Sequence, residues 1–507
     1  MVISGERPEL GRPGWAVLAG APPSPLGTLD VLGLPSRRLS AACGLLLLLL
    51  LAASRFAAFP ASIWDQDEAY LGLGVADFDP AANRPHPPWF PLWVAAGKLV
   101  EPWVSEPARG LQVLGAAAAV WTFYPLVALL AIWMRRELAA AAAVLYLFLP
   151  GPWFLSGRAF GDSTATFLLL LAAAWWLRPE PGRATLARGA IAAGLCLLVR
   201  PQLLPAVLGI GAFRWWGARG PGERTALLLP LLGVIAAGGV ATVIAAGGVV
   251  PLWQPLAGHA RFQLAGLAAA DHGLAASGVA RCLIRPELAV LWGLLAALGA
   301  LSWIRSRQTA GGPWPLLAGG LAPLVVTVHW LSDPTRARYA LPCLALSSGL
   351  VVAGLASCLG RRMTLLLTAA ALTCSLAVGL PQAARYRKAD SPAVAALRSA
   401  GRGATASGGI VVVERTLRSI ADYLAAAGEL RSPLVTDFSI EIGAAAPPPP
   451  EEAVAVAPEG RAGFIAASCW AETIRCDIPW VRRLESDRFL DVTVATGAQV
   501  VRSPTRW

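Results

Sequence analysis

The stretch at residues 41–93, AACGLLLLLLLAASRFAAFPASIWDQDEAYLGLGVADFDPAANRPHPPWFPLW, joins an apolar run to a cluster of polar side chains. Because about 20 apolar residues span a bilayer, the run at 40–60 is predicted to be a transmembrane helix. The arm of 1–39 before it is longer than a usual signal-peptide n-region, which favours an uncleaved span. Charged groups are costly in hydrocarbon, so carboxylates at the mouth of a span indicate a functional site.

The whole chain has the composition of a polytopic membrane protein. Of its 507 residues, 56% are hydrophobic and 14% are charged, with a mean hydropathy of +0.58. A water-soluble surface does not tolerate this balance. Apolar runs predict eleven spans, at about 40–60, 111–133, 138–156, 160–177, 185–199, 202–216, 225–248, 287–304, 314–331, 339–359 and 363–380.

Arginine sets the expected orientation of these spans. At least two arginines fall in each of the short connections at 134–137, 178–188, 214–224, 305–307 and 361–362, and the arm at 1–39 carries four more. The positive-inside rule makes these segments cytoplasmic. The net charge of +11 is then mostly a matter of topology, which argues against a nucleic-acid partner. The sequence predicts a multi-pass protein of the cytoplasmic (inner) membrane, with the N-terminus inside.

This topology divides the chain into three parts. They are the cytoplasmic arm 1–39, a transmembrane domain at 40–381 with a first exterior loop at 61–110, and an exterior tail at 382–507. Patterning in the tail predicts a small α/β domain. Its expected elements are strands in GIVVVE (409–414) and PLVTDF (433–438), a helix in TLRSIADYLAAAG (416–428), a terminal strand pair in FLDVTVATGAQVVRS (489–503) and a loop at APPPPEEA (446–453).

The tail also contains two cysteines, Cys469 and Cys476, in a compartment that permits a disulfide. Their spacing alone does not decide whether they are bonded, since side-chain geometry sets that.

All four histidines fall in or beside outward-facing segments of this topology. They are His86, His259, His272 and His329, and the carboxylates near them are Asp65, Asp67, Glu68, Asp77, Asp79, Asp162, Asp271 and Asp333. One interpretation is a site for a divalent metal ion, with Asp65, Asp67, His86 and His329 as candidate ligands. The other is a chance distribution of histidines among exterior loops.

Arginines at the outer face point to phosphate binding. Arg200 interrupts an apolar stretch and is followed by Pro201, which breaks the helix there. Its planar fork of donors suits a phosphate, although a side chain reaching for lipid headgroups is an alternative. Arg336 and Arg338, with Tyr339 beside them at the mouth of the tenth span, support the phosphate interpretation.

A further pair, Arg158 and Asp162, is expected on successive faces of one helical turn, either as a structural ion pair or as part of the site. The exterior mouth thus combines carboxylates able to take a proton with guanidinium groups able to hold a phosphate. A general base must come within about 3 Å of the proton it removes. Arginine can then stabilise the negative charge that develops on a departing phosphate.

Five elements occur in a recognisable order: WDQDEAY, RPHPPWFPLW, GRAFGDSTATFLLLLAAAWWLR, GLCLLVRPQLLP and DPTRARYALPCLAL. Together they resemble the C-type (GT-C) membrane glycosyltransferases, in particular the family 39 and aminoarabinose-transferase-like branch, over about residues 40–380. The resemblance implies an enzyme that transfers a sugar from a polyprenyl-phosphate carrier to an acceptor lipid, glycan or protein outside the cytoplasm.

The resemblance also implies roles for particular residues. Asp67 and Glu68 match the Asp-Glu pair that holds the essential carboxylate, and His86 opens the His-Pro-Pro element. Asp65 and the insert GVADFDPAANR depart from the pattern and leave open which carboxylate is the base. The donor phosphate is expected near Arg200 and the arginines of DPTRARYALP. Since the family inverts at the sugar carbon, one base suffices.

The segment PLWVAAGKLVEPWV (91–104) resembles the helix that family members lay on the outer membrane surface. Two other functions remain open. A transporter or lipid flippase would place ionisable residues at mid-membrane. A non-catalytic scaffold would leave Asp67 and Glu68 facing bulk water.

Overall fold

The structure is a computed structural model. It describes residues 37–268, 277–305, 313–407, 411–413, 417–431, 434–435, 454–458, 465–467, 470–484, 490–496 and 499–500. The described part is mainly helical, as the sequence predicts. His272, Asp271, Cys469 and the segment 446–453 lie outside the described residues.

The first half of the chain is a series of helices joined by short turns. They are α1 (Arg37–Ala57), α2 (Gln66–Ala76), α3 (Pro91–Val100), α4 (Pro107–Trp121), α5 (Phe123–Leu130), α6 (Arg136–Leu147), α7 (Pro150–Leu155), α8 (Asp162–Trp176), α9 (Arg183–Val199), α10 (Leu204–Trp216), α11 (Pro221–Ala245) and α12 (Val250–Ala268). Several begin at proline, which fits the first helical turn because its missing N–H would have no partner there.

The later helices are α13 (Gly278–Cys282), α14 (Pro286–Arg305), α15 (Ala322–Val326), α16 (Leu341–Lys388), α17 (Pro392–Ser407), α18 (Arg418–Ala426) and α19 (Pro479–Leu484). Two π-helical segments, Pro315–Leu321 and Thr327–Leu331, flank α15. The long α16 is two helices that meet at Gly360, whose φ of 73° is open to glycine at no steric cost. This break lies where the sequence predicts the turn between the last two spans.

Four helical stretches among the described residues are long and apolar enough to cross a membrane: Pro107–Leu130, Pro221–Ala245, Pro286–Arg305 and Ala337–Ala406. Each of the other predicted spans coincides with shorter helical structure. The segment 138–156, for example, is divided into α6 and α7, because Pro150 starts a new helix.

Helices α14 and α16 approach each other closely through glycine. A Cβ on Gly299 would lie 1.9 Å from the carbonyl oxygen of Leu350, and one on Gly354 would lie 2.2 Å from that of Leu295. Small residues allow such backbone contact between apolar helices. This packing fixes the base of the bundle on which the site is built.

Seven short strands lie in the C-terminal part: β1 (Val411–Val413), β2 (Leu434–Val435), β3 (Val454–Pro458), β4 (Ile465–Ala467), β5 (Trp470–Arg475), β6 (Asp491–Thr496) and β7 (Gln499–Val500). Their order is β2-β1-β3-β6-β5 in one sheet and β4-β7 in another. Strand β1 is parallel to both neighbours, whereas β6 is antiparallel to β3 and β5.

The predicted terminal strand pair is wrong in its pairing. Strands β6 and β7 both form, but β6 is paired along both edges, with β3 and with β5, so β7 pairs with β4 instead. Strands β3, β4 and β5 and helices α17 and α19 were not predicted from the sequence.

The C-terminal part packs directly on the helical part. Helix α18 lies against α2. At another point, the ring of Trp480 packs edge-on against Phe154, and its backbone N–H donates to Oε1 of Gln382 at 2.8 Å. The C-terminal part therefore contacts both the first loop and the end of α16.

Candidate active site

The site is organised by the first turn of helix α2. Asp65 caps this helix, because its Oδ1 accepts a hydrogen bond from the backbone N–H of Asp67 at 2.8 Å. The cap places Asp67 and Glu68 in the same turn, pointing to different neighbours. The three candidate carboxylates are therefore close in space, but each has its own environment.

Asp67 faces the start of α16. Its Oδ2 accepts a hydrogen bond from Nη2 of Arg338, and its Oδ1 lies 4.0 Å from Nδ1 of His86. The side chain is 21% exposed, so a substrate can reach it. Burial alone would raise its pKa, but the charges of Arg338 and Arg336 and the hydrogen bond from Arg338 outweigh burial and hold the pKa well below its usual value.

Asp65 is held by the neighbouring arginine. Its Oδ2 lies 3.1 Å from Nη1 of Arg336, and Nε of the same guanidinium lies 3.3 Å from Oδ2 of Asp333. The RAR sequence at 336–338 thus directs two arginines to two aspartates of the first loop.

Glu68 is completely buried and all its acceptor positions are in use. Oε2 accepts from the backbone N–H of Trp64 at 2.8 Å and from Nε of Arg158 at 2.7 Å, while Oε1 accepts from the N–H of Ala159 at 2.7 Å. Nη2 of Arg158 lies 2.6 Å from Oε2 as well. Glu68 therefore joins the first loop to the turn between α7 and α8.

Arg158 and Asp162 do not lie on one helical turn, contrary to the sequence-based expectation. Arg158 precedes α8 in an irregular turn and pairs with Glu68, whereas Asp162 opens α8 and lies 2.5 Å from Nη2 of Arg200. Arg158 and Asp162 therefore each pair with a residue distant in sequence, because the chain between 156 and 161 is not helical.

Arg200 ends helix α9 with a buried side chain. Besides its bond to Asp162, its guanidinium lies over the ring of Phe90 at 4.9 Å. Arg338 similarly lies over the ring of Phe160 at 4.0 Å. Aromatic faces of this kind hold a guanidinium in place while leaving its edge free for an anion.

Both arginines keep unused donors. Among the described residues, Nε and Nη1 of Arg338 and Nε of Arg200 are buried without a hydrogen-bond partner. Leaving such donors buried and unsatisfied is costly, particularly for a charged group. The arrangement therefore has unsatisfied donors that an anion would satisfy.

A small cavity lies beside these groups. It encloses about 20 Å³ and is lined by Asp162, Arg200, Gln202, Thr327 and Tyr339 together with apolar side chains. The Tyr339 hydroxyl lies 3.4 Å from Nη2 of Arg338. One end of the cavity is thus polar, and the remainder is hydrocarbon from α8, α15 and α16.

His86 is enclosed by rings. Its centroid lies 5.8 Å from that of Tyr70, 5.5 Å from that of Phe90 and 5.4 Å from that of His259. Burial lowers the pKa of His86 to about 4, against the opposing effect of Asp67, so the imidazole is neutral near pH 7.

The predicted metal ligands are only partly brought together. Asp67 and His86 are neighbours, but His329 lies in the segment Thr327–Leu331. No group of three His, Cys, Asp or Glu side chains in the described part of the chain is placed to hold a metal ion. Among the described residues, the candidate ligands therefore do not form a metal site.

Sequence reasoning missed Phe90, Phe160, Gln202 and Tyr70 as contributors to the site. The first two lie next to motif residues and could have been found from the aromatic positions in PPWFP and RAFGD. Gln202 and Tyr70 carry no comparable signal.

The helical bundle that carries this cluster of acidic residues and arginines has the GT-C fold. ArnT from Cupriavidus metallidurans bound to undecaprenyl phosphate is similar at 12% identity with a TM-score of 0.51, covering 89% of this chain and 97% of that one. Its apo state gives 13% identity and a TM-score of 0.50, with coverage of 90% and 98%.

An Archaeoglobus fulgidus oligosaccharyltransferase tethered with an acceptor peptide is a third similar structure. It shares 14% identity at a TM-score of 0.47, and the alignment covers 75% of this chain but 63% of the archaeal one. No protein-family model matches the sequence, and no curated protein matches it. At these identities the likeness establishes the fold, and the GT-C fold expected from the sequence motifs is confirmed.

Proposed function

We propose that the protein transfers a sugar from a polyprenyl-phosphate donor to an acceptor lipid, glycan or protein at the exterior face of the cytoplasmic membrane. One observation carries the proposal. A carboxylate held ionised, Asp67, lies against an arginine whose Nε and Nη1 are buried without partners in the described structure. A general base and an anion-binding group thus lie next to each other.

In the proposed reaction the acceptor hydroxyl attacks the anomeric carbon of the sugar. Asp67 takes the hydroxyl proton as the new glycosidic bond forms. The bond between that carbon and the phosphate oxygen breaks with its electron pair on the phosphate. Arg338 and Arg200 stabilise the charge of the departing polyprenyl phosphate. One carboxylate is enough for this single inversion, whereas retention uses two that are close together.

The remaining carboxylates are assigned other roles. The ion pair of Asp65 with Arg336 holds the first turn of α2 in position. The buried ion pair of Glu68 with Arg158 holds the same turn from its buried side. Asp162 orients Arg200, and Tyr339 orients Arg338. His86 is a neutral neighbour of the base.

The proposed topology has eleven spans with the N-terminus in the cytoplasm. The first loop and the C-terminal α/β domain then lie outside. Helix α3 with its exposed Leu99, together with the exposed Trp103 just after it, lies along the membrane surface. Cysteine-accessibility labelling at positions 77, 219 and 383 tests this. Labelling of a cysteine at position 77 only after permeabilisation would contradict the site assignment.

The enzyme assay uses membranes and a panel of undecaprenyl-phosphate-linked monosaccharides labelled in the sugar. We expect label to enter protein, glycan or lipid when the wild-type chain is present, and to remain with the carrier in membranes lacking it. Undecaprenyl phosphate is expected to bind the purified protein.

The same assay addresses the alternatives. A flippase would move the labelled donor across vesicle membranes without transferring its sugar. A scaffold would do neither. The complete burial of Glu68 and the pairing of Asp67 argue against the scaffold, which requires both carboxylates in bulk water.

A further inference from the structure

We infer that helix α18 of the C-terminal part positions the carboxylate-bearing helix α2, with Tyr423 as the positioning residue. The inference rests on the proposed function, because Asp67 is the group whose placement is at issue. Tyr423 itself contacts neither substrate nor reacting atoms in this scheme.

The main contact is between Tyr423 and Gly72. A Cβ at Gly72 would lie 2.6 Å from Cε2 and 3.0 Å from Cδ2 of the Tyr423 ring, so the ring fits there only against a glycine. The ring is buried, with 3% exposure, and its hydroxyl donates to Oε2 of Glu106 at 3.4 Å. Since Glu106 is the N-cap residue of α4, one side chain contacts both α2 and the start of α4.

A second contact lies closer to the reacting groups. Tyr70 follows Asp67 by one helical turn, and its ring meets His86 edge-on with an interplanar angle of 68°. Arg418, Ser419 and Asp422 of α18 lie near the Tyr70 hydroxyl. Helix α18 therefore contacts α2 at two points, and at one of them Tyr70 packs in turn against the ring of His86 beside the base.

These contacts give α18 a specific effect on the reaction. A shift of α2 along or about its axis would move Asp67 relative to Arg338, which lies in the 3-10 helix Ala337–Ala340 just before α16. Misplacement of a catalytic group by about 1 Å can cost about a hundredfold in rate. Donor binding should change far less, because Arg200 is also held by Asp162 and Arg338 also lies over the ring of Phe160, neither of which belongs to α2.

The test places a methyl group in the contact and then makes room for it. Gly72→Ala is expected to lower kcat by about tenfold or more. The KM for the labelled donors and the binding of undecaprenyl phosphate should stay within about threefold, since the arginines are held elsewhere. Adding Tyr423→Leu in the same chain makes room for the methyl group and should bring kcat back to the level of the Tyr423→Leu single variant. Gly403→Ala is the matched control, because a Cβ there meets nothing within 4 Å.

Wild-type kcat in folded Gly72→Ala protein would overturn the inference, as would a loss that Tyr423→Leu does not relieve. If Gly72→Ala does not fold, Tyr423→Leu alone decides: reduced kcat with unchanged undecaprenyl phosphate binding supports the inference, and unchanged kcat refutes it. Absence of any sugar transfer by the wild-type protein would instead refute the proposed function, and full transfer by Asp67→Asn would remove only Asp67 as the base, so the failures are distinguishable.

Discussion

Arg338 and Asp67 are 271 residues apart in sequence and form a direct ion pair, from Nη2 to Oδ2. The pair joins the start of α16 to the first turn of α2. It holds the carboxylate ionised, while the rest of the guanidinium keeps unused donors. The ion pair therefore fixes the position of the proposed base relative to the proposed phosphate ligand.

Asp67→Asn should slow sugar transfer by at least about a hundredfold, because general-base catalysis is worth about 10² to 10⁴ in rate. The amide keeps the size of the side chain and can still accept from Arg338. Transfer from labelled donors by purified protein measures the effect. Asp77→Asn, in the same loop but with an exposed side chain, is the control and should be near wild type. Loss of activity in Asp65→Asn with full activity in Asp67→Asn would reassign the base.

Arg338→Lys and Arg200→Lys should weaken binding of undecaprenyl phosphate, each by about tenfold or more, even though the charge is kept. Lysine cannot reproduce the planar fork or the stacking on Phe160 and Phe90. Titration of the purified protein with undecaprenyl phosphate measures this. Arg84→Lys, which changes an exposed arginine of the first loop, serves as the comparison. Wild-type affinity in both site variants would remove the phosphate role.

The buried His86 should make the protein less stable in mild acid. Its pKa of about 4 in the folded state is below the usual 6.5, so the unfolded chain takes up a proton that the folded chain does not. The free energy of unfolding then falls as pH drops from about 6.5 towards 4, by up to about 2 kcal/mol at pH 5. Asp67 adds a loss only at lower pH, because its depressed pKa contributes stability above the usual carboxyl range.

Thermal unfolding in detergent at pH 7.5 and pH 5 measures this dependence. His86→Gln removes the titrating ring and should flatten it, although His259, Asp67, Arg338 and Arg200 still face the position. An equal pH dependence in wild type and variant would contradict the assignment. Transfer itself should be nearly constant from about pH 5.5 to 8, since base and imidazole keep their charge states there.

Glu68→Gln should act on stability rather than on chemistry. Removing one partner of a buried ion pair leaves the other charge uncompensated and costs about 3–5 kcal/mol. Glu137→Gln, which breaks an exposed pair with Arg361, should cost less than about 1 kcal/mol. Unfolding midpoints and the transfer rate per folded molecule are compared. A folded Glu68→Gln protein with normal stability and no transfer would make Glu68 the base instead.

If Cys469 and Cys476 are bonded, the disulfide would stabilise the C-terminal part by about 2 to 3 kcal/mol. Mass spectrometry of unreduced protein should show one linked peptide pair. Free thiols at both positions would remove the prediction.

The helices of the apolar runs were predictable because these runs are long enough for a helix and most of them end at arginine, glycine or proline. Helix α3 was predictable from its apolar and polar residues at helical spacing. Pairings between distant segments were not: Glu68 with Arg158 and Asp162 with Arg200 depend on which helices become neighbours. The strands β3 to β5 are short and lack alternation, so local patterning does not reveal them.

The carboxylates and arginines named from the sequence do come together in the structure, where they form ion pairs with one another. The sequence did not show how the roles of the three first-loop carboxylates differ. Asp65, Asp67 and Glu68 look equivalent in WDQDEAY, but burial separates them: Glu68 is fully enclosed, Asp65 serves as a helix cap, and Asp67 stays accessible.

The cavity beside Arg200 and Tyr339 has a practical consequence for structural work on this protein. At about 20 Å³ it has room for about one water molecule, far less than a sugar phosphate needs. A ligand can enter only if the side chains of Gln202 and Leu203 and those of the segment around Thr327 move apart. Soaking a preformed crystal would oppose that movement through the lattice. Lipid-linked ligands should therefore be added before crystallisation or vitrification, while the helices are still free to separate.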